Sequence, residues 1–166
     1  MRPLGGRHPR ALTTDAGVDV LSFGGTKSGL MYGEAVVVLN PSAAGGLEYV
    51  RKTAMQLGSK PRFVSDQFEA LLGGDLWLRN ARRANAMAAR LARAVREIPG
   101  VEVRTPVRAN AVFAVLPAAA VADRLRARFA CYTWDETTGE VRWMCSFDTT
   151  EDDVDAIAEE LAAERR

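Results

Sequence analysis

The chain has 166 residues, 48% of them hydrophobic and 26% charged, with a formal net charge of +1 at pH 7; these proportions exclude low-complexity, collagen-like and disordered chains. No apolar run approaches the roughly 20 residues of a bilayer helix, and no leader pattern of basic flank, apolar core and cleavage site follows Met1, so a cytoplasmic chain without membrane partners is expected. Two cysteines, Cys131 and Cys145, and one histidine, His8, make neither a disulfide framework nor a His/Cys metal set, so no metal is expected.

The first ten residues combine three Arg, two Gly and two Pro without period and read as loop. A strand is expected at Val18 to Phe23, followed by the turn Gly24-Gly25-Thr26-Lys27-Ser28-Gly29. A second strand, Glu34 to Leu39, is rich enough in Val to lie buried on both faces of a parallel-type sheet. Asn40-Pro41-Ser42 ends it. Leu47 to Leu57 and Pro61 to Leu72 read as helices, divided by Gly58 as a left-handed cap, with Ser59 available to cap the second and Gly73-Gly74 closing it.

Asp75 then opens the longest helix. Trp77, Ala81, Ala84, Ala88, Leu91, Val95 and Ile98 recur at helical spacing and predict one apolar stripe, ended by Pro99-Gly100. Its six arginines, Arg79, Arg82, Arg83, Arg90, Arg93 and Arg96, read as a solvated or interdomain face, because a near-neutral chain without interleaved aromatics gives nucleic-acid binding little support. Strands follow at Val101 to Arg104 and Ala111 to Leu116, then a helix from Pro117 to Arg128. A hairpin of Phe129 to Trp134 and Glu140 to Ser146 closes through Asp135 to Gly139. Thr149-Thr150-Glu151-Asp152 caps a last helix with Val154, Ile157, Ala158 and Leu161 inward. The predicted organisation is residues 1–46, 47–98 and 99–166, the last a compact βαβ-type α+β unit. The two strands of the first part cannot cover their own faces and edges.

Only three of the 22 basic residues are lysines, Lys27, Lys52 and Lys60. An amine can lose its proton and attack a carbonyl, whereas a guanidinium effectively cannot. Lys27 sits on a glycine-flanked turn directly after a strand, where backbone can approach a planar group and an apolar wall would lower the amine's pKa. On spacing alone, a surface lysine on a glycine turn is the better reading.

The residues themselves carry a resemblance. Asp19 to Met31 resembles the cofactor-lysine segment of the low-specificity L-threonine aldolases, fold-type-I pyridoxal-phosphate enzymes. Glu34-Ala35-Val36-Val37, Arg51-Lys52, Lys60-Pro61-Arg62-Phe63, Asp75 to Ala81, Ala109 to Phe113 and Arg142 to Thr149 resemble further family segments in family order. The fold class implied is α/β: the C-terminal portion of a fold-type-I enzyme, comprising a partial large-domain sheet (1–46), connecting helices (47–98) and a small α+β domain (99–166).

The resemblance implies that Lys27 carries pyridoxal 5'-phosphate and is displaced from it by the substrate amine. Thr26 becomes a phosphate contact, Lys52 a catalytic lysine, and Arg62 an arginine reaching the phosphate of a neighbouring subunit's cofactor. Arg142, on an apolar strand, has a donor fork suited to an amino-acid carboxylate; pairing with Asp135 or Asp148 is the structural alternative. In the family, the carboxylate at the ring nitrogen comes from a His-x-Asp-Gly-Ala-Arg segment before the lysine strand. No such segment exists here; Arg2 to His8 lacks the acid, and the family places neither Asp15 nor Asp19 at the ring nitrogen. The implied function is cleavage of L-threonine or a related β-hydroxy amino acid to glycine and an aldehyde. The chain would then be a fragment or truncated gene product inactive by itself, or its missing half would be supplied by another polypeptide; the partners expected are an amino-acid substrate and either further copies in a homo-oligomer or that polypeptide. A catalytically silent assembly domain and another reaction of the same cofactor, such as β-elimination, are the alternatives.

Overall fold

A computed structural model describes residues 8–163; of the loop expected over residues 1–10, residues 1–7 lie outside them, and Pro9–Leu12 form a 3-10 turn opened by His8, whose Nδ1 accepts from Arg10 N–H. The chain divides into two compact units between Leu78 and Arg79.

The first unit is built on β1 (Val20–Gly24) and β2 (Glu34–Val38), which pair antiparallel with Val20 opposite Val38 and Gly24 opposite Glu34. This corrects the expectation of parallel-type strands buried on both faces. Phe23 lies 6.2 Å from Phe68 of α2 (Arg62–Leu72), so one side of the ribbon is covered. The other carries Val20 and Val36, the latter 60% exposed. Helix α1 is shorter than expected, Leu47–Thr53. Its chain reverses at Met55 in the left-handed region (φ 55°), whereas Gly58 does not adopt that conformation. α2 starts without a side-chain cap, so Ser59 does not serve, and it closes through right-handed Gly73.

Helix α3 (Leu76–Arg96) carries the long apolar stripe. Ala84, Ala88, Leu91 and Val95 are buried as the spacing predicts, joined by Leu78, Met87 and Ala92. Ala81 is exposed and Trp77 half-buried, because the stripe enters at Leu78 rather than Trp77.

In the second unit β3 (Ala111–Val115), β4 (Tyr132–Asp135) and β5 (Glu140–Met144) form an antiparallel sheet of order β3-β5-β4. With α4 (Ala119–Arg126) between β3 and β4, this is a split βαβ arrangement, β5 occupying the gap between two strands of equal direction. Val101 to Arg104 contributes only a bridge, Glu102 to Val115. Val112, Ala114, Val141 and Trp143 point inward, onto α3, α4 and α5 (Glu151–Ala163). A reciprocal cap opens α5: the Asp153 N–H donates to Thr150 Oγ1 at 3.1 Å, and Thr150 N–H donates to Asp153 Oδ2 at 2.8 Å. The arginine face of α3 is used within this unit: Arg90 forks onto both carboxylate oxygens of Asp155 and reaches Glu151, and Arg83 donates to Thr149 O. No described helix is long and apolar enough to cross a membrane.

Candidate functional sites

Three hydrogen bonds of the lysine turn converge on one carbonyl. Gly25 N–H and Thr26 N–H both donate to Gly33 O, at 3.0 and 3.1 Å, and the Thr26 hydroxyl donates to the same oxygen at 3.3 Å while accepting from Gly33 N–H at 3.2 Å. Behind the turn lie Leu30 and Phe68, so close to Gly25 that an added Cβ would sit 2.4 Å from Leu30 Cδ1 and 2.8 Å from Phe68 Cζ. Gln67 of α2 accepts from the Met31 and Tyr32 N–H groups and holds the following loop.

Lys27 is the middle residue of the resulting 3-10 turn, Thr26–Ser28, and its side chain is exposed. The apolar wall anticipated beside the amine is therefore not supplied by the first unit's own described residues. Lys52 is exposed in the last turn of α1. Arg62, the first residue of α2, lies with its guanidinium carbon 4.9 Å from the centre of the Phe63 ring. Asp15 is taken by Arg10 at 2.8 Å, and Asp19 accepts from Asn40 Nδ2 at 2.7 Å.

In the second unit, Arg142 occupies the middle strand on the sheet face opposite the core. Its register partners are Phe113 on β3 and Tyr132 on β4. The guanidinium carbon lies 4.8 Å from the Trp134 ring centre and 5.8 Å from that of Tyr132. Phe113 meets Trp134 edge-on at 5.2 Å. Nε of Arg142 is covered and has no hydrogen-bond partner. Neither anticipated acid pairs with it: Asp135 accepts from the Thr137 N–H and hydroxyl and from the Thr138 hydroxyl, which holds its carboxyl below the usual carboxylate range. Among the described residues, no carboxylate ion-pairs with Arg142.

Sequence reasoning missed the aromatic flank of Arg142. The signal was present, because Tyr132 and Trp134 are two apart on a strand and so share a face, but the register that sets them beside Arg142 is fixed only by the folded hairpin. Thr26 was noted, yet its tie to Gly33 was not legible.

No protein-family model matches the chain. Its backbone aligns with that of a threonine aldolase from Leishmania major at a TM-score of 0.78 and 27% identity, over 89% of this chain and 43% of that one. It aligns with a methionine gamma lyase from Micromonospora echinospora at a TM-score of 0.63 and 19% identity, over 90% and 50%, a likeness of fold alone. The fold is therefore that of part of a fold-type-I pyridoxal-phosphate enzyme.

In sequence, the chain is 43% identical over 158 residues to a low-specificity L-threonine aldolase of Pseudomonas sp. (strain NCIMB 10558), and 43% identical over 157 residues to that of Pseudomonas aeruginosa. These alignments take in 95% and 94% of this chain but 44% and 45% of the relatives, so the chain spans less than half their length. Within its class it is a partial-length relative of the low-specificity L-threonine aldolases, consistent with the C-terminal half that the order of its motifs predicts.

Proposed function

We infer that this chain is part of a pyridoxal-phosphate-dependent lyase that cleaves L-threonine or a related β-hydroxy amino acid to glycine and an aldehyde. The observation that carries the reading is the 43% identity to two low-specificity L-threonine aldolases across about 95% of the chain, a span that includes both the Lys27 turn and Arg142. In this reading residues 1–46 are the remnant of a cofactor domain, 47–98 connecting helices and 99–166 the small domain.

The described residues fit the cofactor at its attachment points. Lys27 offers an exposed amine on a turn held rigid from behind, the requirement for a lysine that must meet a carbonyl carbon and later release it. When bound, the cofactor supplies an electron sink for cleavage beside the substrate's α-carbon. Thr26 serves as a phosphate contact in this reading only by turning its hydroxyl proton away from Gly33 O, which holds it here. Arg62 contributes a guanidinium to a phosphate, and Lys52 holds or moves a proton at its Nζ. Arg142 orients the substrate by its carboxylate, for which an arginine without an acidic partner is suited. The carboxylate for the ring nitrogen is not among these groups, since Asp15 and Asp19 are both engaged elsewhere. It comes, in this reading, from a part of the enzyme outside the span matched here, carried by another polypeptide, in a cytoplasmic assembly that is otherwise a homo-oligomer.

The test is the absorbance of the chain after adding pyridoxal phosphate, compared with Lys27→Ala, together with aldehyde release from L-threonine alone and with a polypeptide supplying the relatives' remaining length. A lysine-dependent band and aldehyde on complementation are expected. A Lys27→Ala variant that behaves as wild type in both assays defeats the reading. A second reading, an assembly module without catalysis, is favoured by the exposure of Val36, Tyr49 and Val50 at 60–71%. A monodisperse monomer on size exclusion would defeat it.

A further inference from the structure

The outer face of the second unit's sheet poses a question that its core does not. Tyr132 and Trp134 are 61% and 56% exposed, so neither is there to fill the interior, and large exposed aromatics gathered on one face point to a task. Both rings share Arg142 as neighbour, and Phe113 braces Trp134 edge-on.

A guanidinium can be held in place by a carboxylate or by aromatic faces, and the two differ in what they leave over. A carboxylate takes N–H donors and neutralises the charge; a ring attracts the cation through its quadrupole and consumes no donor. Arg142 is held in the second way. Its Nε is covered and unpartnered, which closes the side edge of the fork. The two terminal nitrogens are not covered in this way and have no partner among the described residues.

We propose that Trp134, aided by Tyr132 and braced by Phe113, is a positioning residue that holds the Arg142 guanidinium so that it receives a carboxylate end-on, through its two terminal nitrogens, with Nε left out. The proposal rests on the reading that Arg142 binds the substrate carboxylate. Trp134 does not touch the substrate in this account; it acts through Arg142, by limiting the orientations of a long side chain that would otherwise be ordered at an entropic cost on binding.

The experiment is 1H–15N NMR of the Arg142 guanidinium in the full 166-residue chain, titrated with L-threonine, for wild type, Trp134→Ala, Trp134→Phe and Arg142→Ala. Saturable shifts of the terminal nitrogens with little change at Nε–H are expected for wild type. Trp134→Ala should bind roughly two- to fivefold more weakly, the worth of one partly exposed cation–π contact, while Trp134→Phe, which keeps a ring, stays near wild type. Because Trp134 is more than half exposed, its replacement leaves the core intact, and the far-UV circular dichroism should be unchanged. A wild-type response undiminished in Trp134→Ala, or one centred on Nε–H, overturns the positioning role and leaves the carboxylate reading standing. A wild type as silent as Arg142→Ala overturns the carboxylate reading and the positioning role with it.

Discussion

Replacing Gly25 by Ala tests how the lysine turn is held. Gly25 has φ −78° and ψ −39°, a conformation any residue adopts, so the substitution carries no backbone penalty and its effect is purely one of space. The new methyl carbon would sit 2.7 Å from Gly33 O, 2.4 Å from Leu30 Cδ1 and 2.8 Å from Phe68 Cζ. Leu30 and Phe68 can turn aside; the carbonyl cannot move without loosening the three hydrogen bonds it accepts from Gly25 and Thr26. Overpacking of this kind costs about 1–3 kcal/mol, and weakening hydrogen bonds at one acceptor adds about 1 kcal/mol, giving about 2–4 kcal/mol. Amide hydrogen exchange reads the result locally, at Thr26 and at Leu30, whose N–H donates to Gly25 O at 3.1 Å. Exchange there should accelerate by roughly one to three orders of magnitude, up to the limit set by the turn's own opening in the wild type. Gly58→Ala is the control: nothing lies within 4 Å of its Cβ and its φ is not left-handed, so the change should be neutral or stabilise by about 0.4–1 kcal/mol. Equal protection of the turn in Gly25→Ala and Gly58→Ala would refute the steric reasoning.

In the second unit, Trp143 is 2% exposed, and Trp143→Ala should destabilise that unit by about 3–5 kcal/mol, read as a lowered urea midpoint; an unchanged midpoint would contradict its place in the core. Thr150 lowers the Asp153 pKa by bonding its carboxylate. A carboxyl depressed in the folded state contributes stability above its unfolded pKa of about 3.9 and loses it as pH falls through the folded value. Thr150→Val should therefore flatten the acid side of the stability profile below about pH 4, as should Asp153→Asn; thermal melts across that range would show whether either does. Burial pushes the thiols of Cys131 and Cys145 upward, so a thiol-specific disulfide reagent should modify neither in the native chain at neutral pH and both after denaturation. Fast native labelling would show that the core opens readily.

The sequence was legible where a single element decides the outcome. Ala84, Ala88, Leu91 and Val95 bury at their helical spacing because one helix face needs only its own period, and the Thr150 cap needs only neighbours three residues apart. What was not legible depended on pairing. The valines of β2 look the same whether they enter a sheet interior or an antiparallel ribbon with one bare side, since composition does not say which strand comes alongside. The α1 terminus slipped for a different reason: Met55 takes up the left-handed conformation that Gly58 was expected to supply, so the helix ends earlier than its glycine signal. Lys27 and Arg142 stand out by residue type and setting, but their surroundings, Gly33 for the one and Trp134 for the other, come from across a turn or a hairpin.

That difference between element and pairing also separates the two units chemically. Among the described residues, all the buried hydrophobic side chains except Leu30, Leu71 and Leu78 lie in the second unit. Burial of apolar surface is the main term opposing chain entropy, so the second unit can hold Arg142 and its aromatic neighbours with its own core. The first unit holds its lysine turn by hydrogen bonds to the carbonyls of Gly33, Gly25 and Gly24 and by packing between Phe23, Phe68 and Leu30, while Val20 and Val36 on the opposite side of the ribbon stay open to solvent. On the proposed function both the wall beside Lys27 and the cover over these valines come from the rest of the enzyme. A further layer packed over that face would bury the valines, as the helices of the second unit do for the inward side of its sheet. The amine's reactivity is then a property the turn makes possible and the assembly completes.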